Sequence, residues 1–226
     1  MQKPTLDPRL LTAADFFPYC EYGADIGADH GHLSCYLLST GKCKNMVITD
    51  ISDTSLDKAR TLIRRQCLED RAQFHCGDGL KALPHPVNAI AICGMGGHTV
   101  SDILINGQDH LSGASLILSP QTEHALVRST LYKELGYHLE REQILRAANR
   151  YYIMLLAAPG KEDISDKELF IGPRLAETVS EEYLAFVKWR CDVVSREQHL
   201  SAQNHLRWLK EEYERVRIAL LNGKNS

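Results

Sequence analysis

The sequence predicts an α/β fold in which helices cover both faces of a mostly parallel sheet, followed by a helical C-terminal part. Three observations carry this prediction. Short apolar runs alternate with amphipathic stretches of helical length after residue 18. Two further apolar runs near residue 150 lie too close together for a crossover helix between them. The last part of the chain repeats apolar residues at spacings of three and four, which is typical of helices.

Five apolar runs predict the parallel strands, and the stretches between them predict the helices. The strands are residues 23–27, 46–50, 71–75, 87–93 and 114–119. The helices, or single turns of one, are residues 30–40, 53–67, 80–83, 97–106 and 123–135. Strand and helix in alternation imply right-handed crossovers, and therefore a parallel sheet with helices on both faces.

The parallel series ends in a predicted hairpin. Residues 137–144 and 151–158 are separated by only six residues, so we expect them to pair as antiparallel strands. Five parallel strands and a hairpin make about seven strands. A terminal hairpin is characteristic of class I Rossmann-like methyltransferases that use S-adenosyl-L-methionine, whereas dinucleotide-binding folds continue with parallel crossovers.

A linker at residues 159–163 predicts two domains, residues 1–160 and residues 161–226. The second should contain two helices joined near residues 199–205 and packed as an antiparallel, coiled-coil-like pair. The predicted apolar seam consists of Leu184, Val187, Cys191, Val194 and Gln198 on one helix and Leu206, Leu209, Tyr213, Val216 and Leu220 on the other. The outer faces of these helices remain free to meet a partner.

Composition limits the function classes. A chain of 226 residues with net charge −3 has no whole-chain signature of nucleic-acid binding, so any such contact needs a local basic face. No apolar run approaches the roughly 18 residues of a membrane span, and we expect a cytoplasmic protein without a membrane partner. Seven scattered cysteines without a CxxC spacing support neither disulfides nor a zinc site. His30 and His32 lack a second ligand cluster, so we expect no metal.

The loop after the first strand, in ADIGADHGHL, is the first candidate ligand site. Gly27 lets the chain leave the strand sharply, and Gly31 lets the next helix start close to a ligand. Neither GxGxxG nor GxxxxGK[ST] is present, which weakens dinucleotide and phosphate sites. S-adenosyl-L-methionine instead needs a backbone turn around its amino-acid end, carboxylates for its ammonium group and ribose hydroxyls, and a slot for adenine.

Acids follow three successive strands and fit these needs. Asp50, followed by Ile51, is placed to bind both ribose hydroxyls, and Asp78 to accept from the adenine amino group. A single acid after a strand is weak evidence, because many such residues only cap a helix, but three at successive strand ends favour a ligand site. The predicted cofactor-binding residues are Asp25, Gly27, Ala28, His30, Gly31, Asp50, Ile51, Asp78, Gly79 and Cys93.

The loop CGMGG after the fourth strand has three glycines in four positions. Each glycine costs roughly 0.5 to 1 kcal/mol in regular structure, so we expect a ligand to pass close to this backbone. In a methyltransferase that ligand is the methyl-bearing sulfonium with the target base. The predicted catalytic residues are Asp29, Gly94 and Met95.

Five segments resemble the bacterial tRNA (adenine(22)-N1)-methyltransferase family: ADIGADHGHL, GDGL, CGMGG, LSPQ and Phe170-Ile171-Gly172-Pro173. The resemblance runs from about Arg9 to the final helix. It implies a Rossmann-like methyltransferase domain, S-adenosyl-L-methionine as cofactor, tRNA as partner, and a coiled-coil-like domain that helps to hold the tRNA. Arg9 falls in a segment that resembles the family's basic N-terminal helix. The resemblance places Arg9, Gly96, Gly97, Pro120 and Gln121 at the substrate.

The chain departs from the family pattern at two places. An LQPN-like segment is replaced by Leu118-Ser119-Pro120-Gln121, and a Glu-Val-like pair by Asp50-Ile51. Asp50 in place of the family's glutamate should still bind the ribose hydroxyls. Gln121 for Asn lengthens an amide that reads the target base, which bears on substrate choice.

The chemistry implied by the resemblance needs no protein nucleophile. The N1 atom of adenine has an in-plane lone pair that attacks the methyl group directly, so Cys93 is interpreted as a packed residue. Two hypotheses remain for Asp29: electrostatic stabilisation of a nearby positive charge, or capping of the following helix. His30 then either positions a ribose or phosphate group or shares the capping role.

Three other functions remain open at this point. The first is a methyltransferase of this fold that acts on another RNA position, a small molecule or a protein. The second is a noncatalytic RNA- or protein-binding module that retains the cofactor as a sensor, supported only by Ser119-Pro120-Gln121. An oxidoreductase is the weakest alternative, and binding of NADH would distinguish it. A monomer is expected.

Overall fold

The computed structural model describes residues 4–197 and 201–223 and contains a seven-stranded sheet of order β3-β2-β1-β4-β5-β7-β6. The first five strands are parallel, and β7 is antiparallel to both of its neighbours. The strands are β1 (Cys20–Ile26), β2 (Cys43–Asp50), β3 (Ala72–Cys76), β4 (Ala89–Cys93), β5 (Ser115–Ser119), β6 (Tyr137–Ala147) and β7 (Arg150–Pro159). The predicted parallel sheet with a terminal hairpin is confirmed.

Eight α-helices occur among the described residues. They are α1 (Pro8–Phe16), α2 (His32–Thr40), α3 (Asp53–Arg65), α4 (Gly97–Asn106), α5 (His124–Ser129), α6 (Asp166–Ile171), α7 (Glu181–Val194) and α8 (Ala202–Gly223). The segment predicted at 80–83 is one 3₁₀ turn, and the helix predicted over 123–135 divides into α5 and a π-helical turn at Thr130–Leu135. Helix α1 begins because the Asp7 carboxylate accepts from the backbone N–H groups of Arg9 and Leu10.

The connection between the hairpin strands is shorter than predicted. The six residues 145–150 were expected to form a loop, but β6 continues to Ala147, β7 starts at Arg150, and these two residues pair. The turn therefore consists of Ala148 and Asn149 alone, with φ angles of +47° and +60°. Two central residues at positive φ are the arrangement that matches the twist of a tight hairpin.

Buried side chains form two clusters, one on each face of the sheet. Helices α1, α2 and α3 cover one face, while α4 and α5 contribute to the other. The C-terminal helices join that second cluster, since Phe186 and Leu209 belong to it together with Ile153 and Leu155 of β7. The domain boundary at residues 160 and 161 stays a prediction; it falls where β7 ends, and the helices beyond it share their core with the sheet.

The predicted seam between α7 and α8 is confirmed at its centre. Val187, Val194, Leu209 and Val216 are buried, and the half-buried residues packed against the same cluster are Leu184, Cys191, Leu206, Tyr213 and Leu220. Gln198 and residues 199 and 200 of the expected junction lie outside the described residues.

A polar contact that the spacing did not predict orients the two C-terminal helices. The Tyr183 hydroxyl donates to the Glu212 carboxylate over 2.8 Å, and both residues are buried. Tyr183 lies in the first turn of α7, and Glu212 lies near the middle of the long α8. Since α8 starts a short distance after the end of α7, the two helices run antiparallel, as predicted.

A buried ion pair joins the hairpin to the C-terminal part. Arg128 of α5 contacts Glu142 of β6 at 2.8 Å, and neither side chain is exposed to solvent. Arg128 also donates to the carbonyl of Leu169 in α6, while Glu142 accepts from the backbone N–H of Arg174. Each charge therefore has neutral hydrogen-bond partners as well as its opposite charge, which is the condition for burying such a pair.

Candidate active site

A cavity of about 330 Å³ opens at the carboxyl ends of β1, β4 and β5. Its walls come from the loops after these strands, from the start of α2, from α1 and from β7. It is lined by Arg9, Leu10, Asp25, Gly27, Ala28, Asp29, His30, His32, Leu33, Cys93, Gly94, Met95, Ser119, Gln121, Tyr152 and Met154. Ligands of parallel sheets bind at this edge, and small-molecule sites typically measure about 300–1,000 Å³.

The loop after β1 is held open by backbone contacts to β2. The N–H groups of Gly27 and Ala28 both donate to the carbonyl of Thr49. The N–H of Asp29 donates to one carboxylate oxygen of Asp50 over 3.1 Å, and the other oxygen accepts from the N–H of Ser52. Asp50 thus lies at the end of β2 and fixes the loop whose residues Ala28 and Asp29 line the cavity.

The two predicted loop glycines have different neighbours. Gly27 has φ +68°, and a Cβ there would overlap the Met95 side chain, so the loops after β1 and β4 touch at this point. Gly31 also has φ +68°, but a Cβ there would lie 2.8 Å from the Cβ of Ala59. Gly31 therefore has a packing role, since it lets α2 approach α3, and its assignment to the cofactor site stays a prediction.

Asp29 and His30 pair with each other instead of capping α2. The Asp29 carboxylate lies 2.6 Å from Nδ1 of His30, whose ring stacks on His32. Helix α2 has Gly31 as its N-cap, in the left-handed conformation and without a side-chain cap. The capping hypothesis is wrong, and the Asp29 side chain remains 68% exposed at the cavity. Its φ of +49° turns the loop at this residue.

Asp25 places a carboxylate in the wall of the cavity. It is buried near the end of β1, and the Ser34 hydroxyl of α2 donates to it over 2.8 Å. Burial raises the pKa of Asp25 to about 6. The hydrogen bonds from Ser34 act in the opposite direction and lower the pKa, but burial has the larger effect. The carboxyl group therefore holds a proton in mildly acidic solution and is mostly ionised at neutral pH, where it can meet a positive charge in the cavity. Ser34 was missed from the sequence because nothing local marks a serine inside α2 as a partner of β1.

The Cys93 thiol is not a nucleophile in this setting. Burial, and secondarily the negative charge of Asp25, raise the pKa of Cys93 to about 12. Only the thiolate is reactive, and at neutral pH this group is a thiol. The geometry supports the interpretation of Cys93 as a packed residue that forms part of the cavity wall.

The three glycines of CGMGG divide into two kinds. Gly94 has φ +82°, and no atom of the described residues lies within 4 Å of the position that its Cβ would take. At Gly96 the nearest atom in the same part of the chain is Oγ1 of Thr122, at the ordinary contact distance of 3.5 Å. At Gly97, by contrast, a Cβ would lie 2.4 Å from the carbonyl oxygen of Thr122. We expected a nearby ligand to account for all three glycines. This expectation is wrong for Gly97, because the loop between β5 and α5 lies against its backbone.

This difference predicts unequal effects of two neighbouring substitutions. We expect Gly97→Ala to lower the free energy of unfolding by about 3 kcal/mol, because the added methyl group meets backbone that cannot rotate away. Gly96 has a φ of −66°, and an added methyl group would make only an ordinary van der Waals contact, so Gly96→Ala should lower the free energy of unfolding by no more than about 1 kcal/mol. Urea denaturation of both variants measures the difference, and equal losses would contradict the packing role of Gly97.

Gln121 ties the loop after β5 to the glycine-rich loop. Its backbone N–H donates to the Met95 carbonyl and its side-chain Nε2 donates to the Gly94 carbonyl, both over 2.8 Å. This hydrogen bond fixes the orientation of the side-chain amide. Oε1 accepts no hydrogen bond from residues 4–197 and 201–223. Pro120 is buried behind this loop and does not line the cavity.

Three predicted cofactor residues lie away from the cavity. Asp78 and Gly79 line a separate cavity of about 230 Å³, and Gly79 packs against Ile103 of α4. Ile51 is 77% exposed after β2. The structure therefore does not bring Asp78, Gly79 or Ile51 together with Asp25 and Gly94 in one enclosed site.

Sequence reasoning missed the wall opposite the glycine-rich loop. Tyr152 and Met154 of β7 line the cavity, and the Arg9 guanidinium lies 5.1 Å from the centre of the Tyr152 ring. The hydrogen bond to Asp7 is the main cause that raises the pKa of Arg9, which keeps its charge. Because side chains alternate along a strand, Tyr152 and Met154 lie on one face of β7. That this face lines the cavity follows only from the position of β7 beside β5.

The part of the chain that the structure describes contains neither a metal-ligand cluster nor a membrane-spanning helix. Within it, no three His, Cys, Asp or Glu side chains are grouped as they would be to hold a metal ion. None of the helices in residues 4–197 and 201–223 combines the length and apolar character needed to cross a membrane.

Known proteins resemble this chain in both fold and sequence. Residues 6–155 match the family model described as a methyltransferase domain, so the fold and the cavity define a methyltransferase. A curated relative from Bacillus subtilis (strain 168), tRNA (adenine(22)-N(1))-methyltransferase, is 32% identical over 197 residues, which are 84% of this chain and 82% of the relative. The chain belongs to the tRNA (adenine(22)-N(1))-methyltransferase family.

Solved structures agree on the architecture over nearly the whole chain. The B. subtilis m1A22 tRNA methyltransferase TrmK superposes with a TM-score of 0.79 at 28% identity, covering 95% of this chain and 98% of that one. TrmK of M. capricolum, solved with S-adenosyl-homocysteine, gives a TM-score of 0.81 at 20% identity over 92% and 98% of the two chains. At that identity the second likeness is evidence for the fold alone.

Proposed function

We propose that this protein transfers the methyl group of S-adenosyl-L-methionine to N1 of adenosine 22 in tRNA. The observation that carries the proposal is the open space at Gly94, which adjoins the cavity and the fixed amide of Gln121. The family relative supports the substrate, because its name specifies this nucleotide and atom. Residues 1–160 carry the chemistry, and residues 161–226 help to hold the tRNA. We expect a cytoplasmic monomer.

The side chains around the cavity fit this cofactor. S-adenosyl-L-methionine supplies an electrophilic methyl group on a sulfonium, together with an ammonium group and ribose hydroxyls, and it has no phosphate. Asp25 and Asp29 offer carboxylates to its positive charges, and Asp50 stands at the end of the next strand for the ribose. Ala28 and the turn at Gly27 give the backbone a close approach. His30 holds Asp29 in place.

The substrate side of the cavity has groups suited to adenine. Oε1 of Gln121 can accept a hydrogen bond from the 6-amino group, since Nε2 is already committed to Gly94. Arg9 and Tyr152 form the opposite wall, where a flipped base would stack against the ring. The N1 atom then faces the space beside Gly94. Gln121 in place of the family's Asn is thus accommodated by a hydrogen bond inside the loop.

The protein's catalytic contribution is alignment and charge stabilisation. The N1 lone pair needs no general base, and Cys93 is protonated. Holding the attacking atom and the methyl group in line converts a bimolecular step into an effectively unimolecular one. The adenine ring becomes positively charged as the bond forms, and the exposed carboxylate of Asp29 is placed to stabilise that charge.

We expect Asp29→Asn to lower kcat or the affinity for the cofactor at least tenfold. The change removes a negative charge from the cavity and keeps the size of the side chain. Steady-state kinetics of methyl transfer and calorimetric cofactor binding separate the two effects. Asp166→Asn is the matched control, because Asp166 is an exposed carboxylate in an ion pair with Lys133 outside the cavity. Wild-type kinetics in Asp29→Asn would exclude the electrostatic role.

The proposed function is tested by transfer of a labelled methyl group to unmodified tRNA with adenosine at position 22. A tRNA with guanosine at position 22 is assayed beside it. We expect label in the first tRNA only, mapped to N1 of adenosine 22. Cofactor binding with label in neither tRNA would contradict the proposal and favour another substrate or a noncatalytic module.

A further inference from the structure

The β6–β7 hairpin extends well beyond the edge of the sheet where the cavity opens. Strand β7 pairs with β5 between Leu116 and Leu118, and Leu155 is the partner of Leu118. From Leu155 the strand continues for five more residues to Arg150, a reach of about 16 Å at strand geometry. We call residues 146–151 the hairpin tip. It stands beside the cavity mouth.

The two faces of the hairpin tip look toward different parts of the molecule. Tyr152 and Met154 line the cavity, and Arg150 precedes Tyr152 by two residues on that same face. Arg146 pairs with Tyr151 on the other face. The tip thus carries one arginine on the cavity side and one on the side of the C-terminal helices.

Aromatic packing holds the hairpin tip in place. The Tyr151 ring lies 5.3 Å from Phe186 and 5.1 Å from Trp189 of α7, measured between ring centres. The Arg146 guanidinium lies 5.8 Å from the centre of the same Tyr151 ring. Trp189 itself is 44% exposed, so an aromatic surface continues from the tip onto α7.

The hairpin tip is a local positive surface on a chain of net charge −3. Arg146 and Arg150 are both exposed, and neither forms a salt bridge with any residue in 4–197 or 201–223. The stretch from residue 144 to residue 153, ILRAANRYYI, has no acid. An RNA ligand needs such a local basic face, and guanidinium groups bind phosphates with paired hydrogen bonds.

We propose that the hairpin tip binds the phosphate backbone of the tRNA next to the nucleotide that enters the cavity. Arg150 contacts backbone on the cavity side and Arg146 on the side of α7. Ala147, Ala148 and Asn149 keep the turn small, which lets the backbone come close. This inference rests on the proposed function, since it takes tRNA as the substrate.

The test replaces both arginines in the full-length protein, as Arg146→Gln/Arg150→Gln. Binding of unmodified tRNA is measured at several salt concentrations. We expect the Kd for tRNA to rise at least tenfold at 0.15 M salt, and the dependence of log K on log salt to become shallower by about one for each lost phosphate contact. The Kd for S-adenosyl-L-methionine and kcat at saturating tRNA should stay within twofold of wild type.

A matched double variant, Lys44→Gln/Lys133→Gln, removes the same charge from two exposed side chains outside the hairpin tip. We expect its tRNA affinity to remain within twofold of wild type. Equal tRNA affinity and salt dependence in the arginine variant and the wild type would overturn the inference, as would equal losses in both double variants.

The same binding data separate this inference from the proposed function. If the wild-type protein binds tRNA but does not methylate adenosine 22, the proposed function fails and the arginine comparison still decides the role of the tip. If the wild-type protein methylates adenosine 22 and the arginine variant binds tRNA normally, only the inference fails. Absence of tRNA binding by the wild type overturns both.

Discussion

Glu142→Ala is expected to lower the free energy of unfolding by about 3–5 kcal/mol. Glu142 is buried against Arg128 at 2.8 Å, and its other oxygen accepts from the backbone N–H groups of Arg174 and Leu175. Removal of the carboxylate leaves the Arg128 guanidinium charged and without solvent, and it leaves the Arg174 and Leu175 N–H groups without their acceptor. An uncompensated buried charge is among the costliest single changes in a protein interior.

Lys133→Ala is the matched control for this prediction. Lys133 forms a 3.0 Å ion pair with Asp166, but the two side chains are 49% and 79% exposed. Exposed pairs typically contribute less than about 1 kcal/mol, because water screens them. Urea denaturation of both full-length variants gives the two losses. If Glu142→Ala loses no more than Lys133→Ala, the buried pair does not hold α5 and the C-terminal segment to β6.

The order of strands and helices could be predicted because each element has a local cause. The apolar run of β5, for example, lies between Gly113 and Pro120, which fix its ends within a residue or two. The hairpin turn was mislocated for the opposite reason. Alanine rarely takes a positive φ, so nothing local marks Ala148 as a turn residue, and only the pairing of the strands imposes that conformation.

The glycine pattern shows what the sequence predicts of the site and what it cannot. A glycine in a loop indicates a close approach or a positive φ, but it does not reveal which atoms approach. At Gly94 the space is open, whereas at Gly31 and Gly97 the neighbours are Ala59 and Thr122 of the same chain. Those contacts depend on how helices and loops far apart in sequence pack together.

The missed residues of the cavity have a similar explanation. Tyr152 enters the site because β7 inserts between β5 and β6, and Ser34 meets Asp25 because α2 folds back over β1. Both facts are consequences of tertiary packing. The loops after the strands carry their own sequence pattern, which is why Asp25, Gly27, Asp29 and Gly94 could be assigned to one site beforehand.

Cofactor affinity is expected to fall as the pH drops below about 6, because Asp25 must ionise to meet the cofactor's positive charge. Burial raises the pKa of Asp25 from 3.8 to about 6, so the ligand-free protein holds a proton there in mildly acidic solution. A ligand that favours the carboxylate releases this proton. The affinity should therefore fall by up to about tenfold for each pH unit below 6.

The same group makes an opposite contribution to stability. An acid whose pKa is raised by folding stabilises the folded state below its unfolded pKa, and that contribution is lost as the pH rises through the folded pKa. As the pH rises from about 4 to about 6, the contribution of Asp25 thus lowers the free energy of unfolding of the ligand-free protein by as much as about 3 kcal/mol, and the loss persists at higher pH. Asp25→Asn carries no charge, and we expect it to be more stable than wild type at pH 7 without ligand.

Calorimetric titration with S-adenosyl-L-methionine from pH 5 to pH 8 tests the affinity, and urea denaturation of the ligand-free protein at pH 7 tests the stability. We expect Asp25→Asn to bind at least tenfold more weakly at pH 8 and to lose most of the pH dependence below pH 6, while its ligand-free form gains stability at pH 7. His30→Gln is the necessary control, because the His30 imidazole lines the same cavity and contacts the Asp29 carboxylate. A pH dependence that survives in Asp25→Asn and disappears in His30→Gln would assign it to the histidine. If Asp25→Asn instead binds the cofactor more weakly and is more stable without ligand, Asp25 is a residue that favours cofactor binding at the expense of stability.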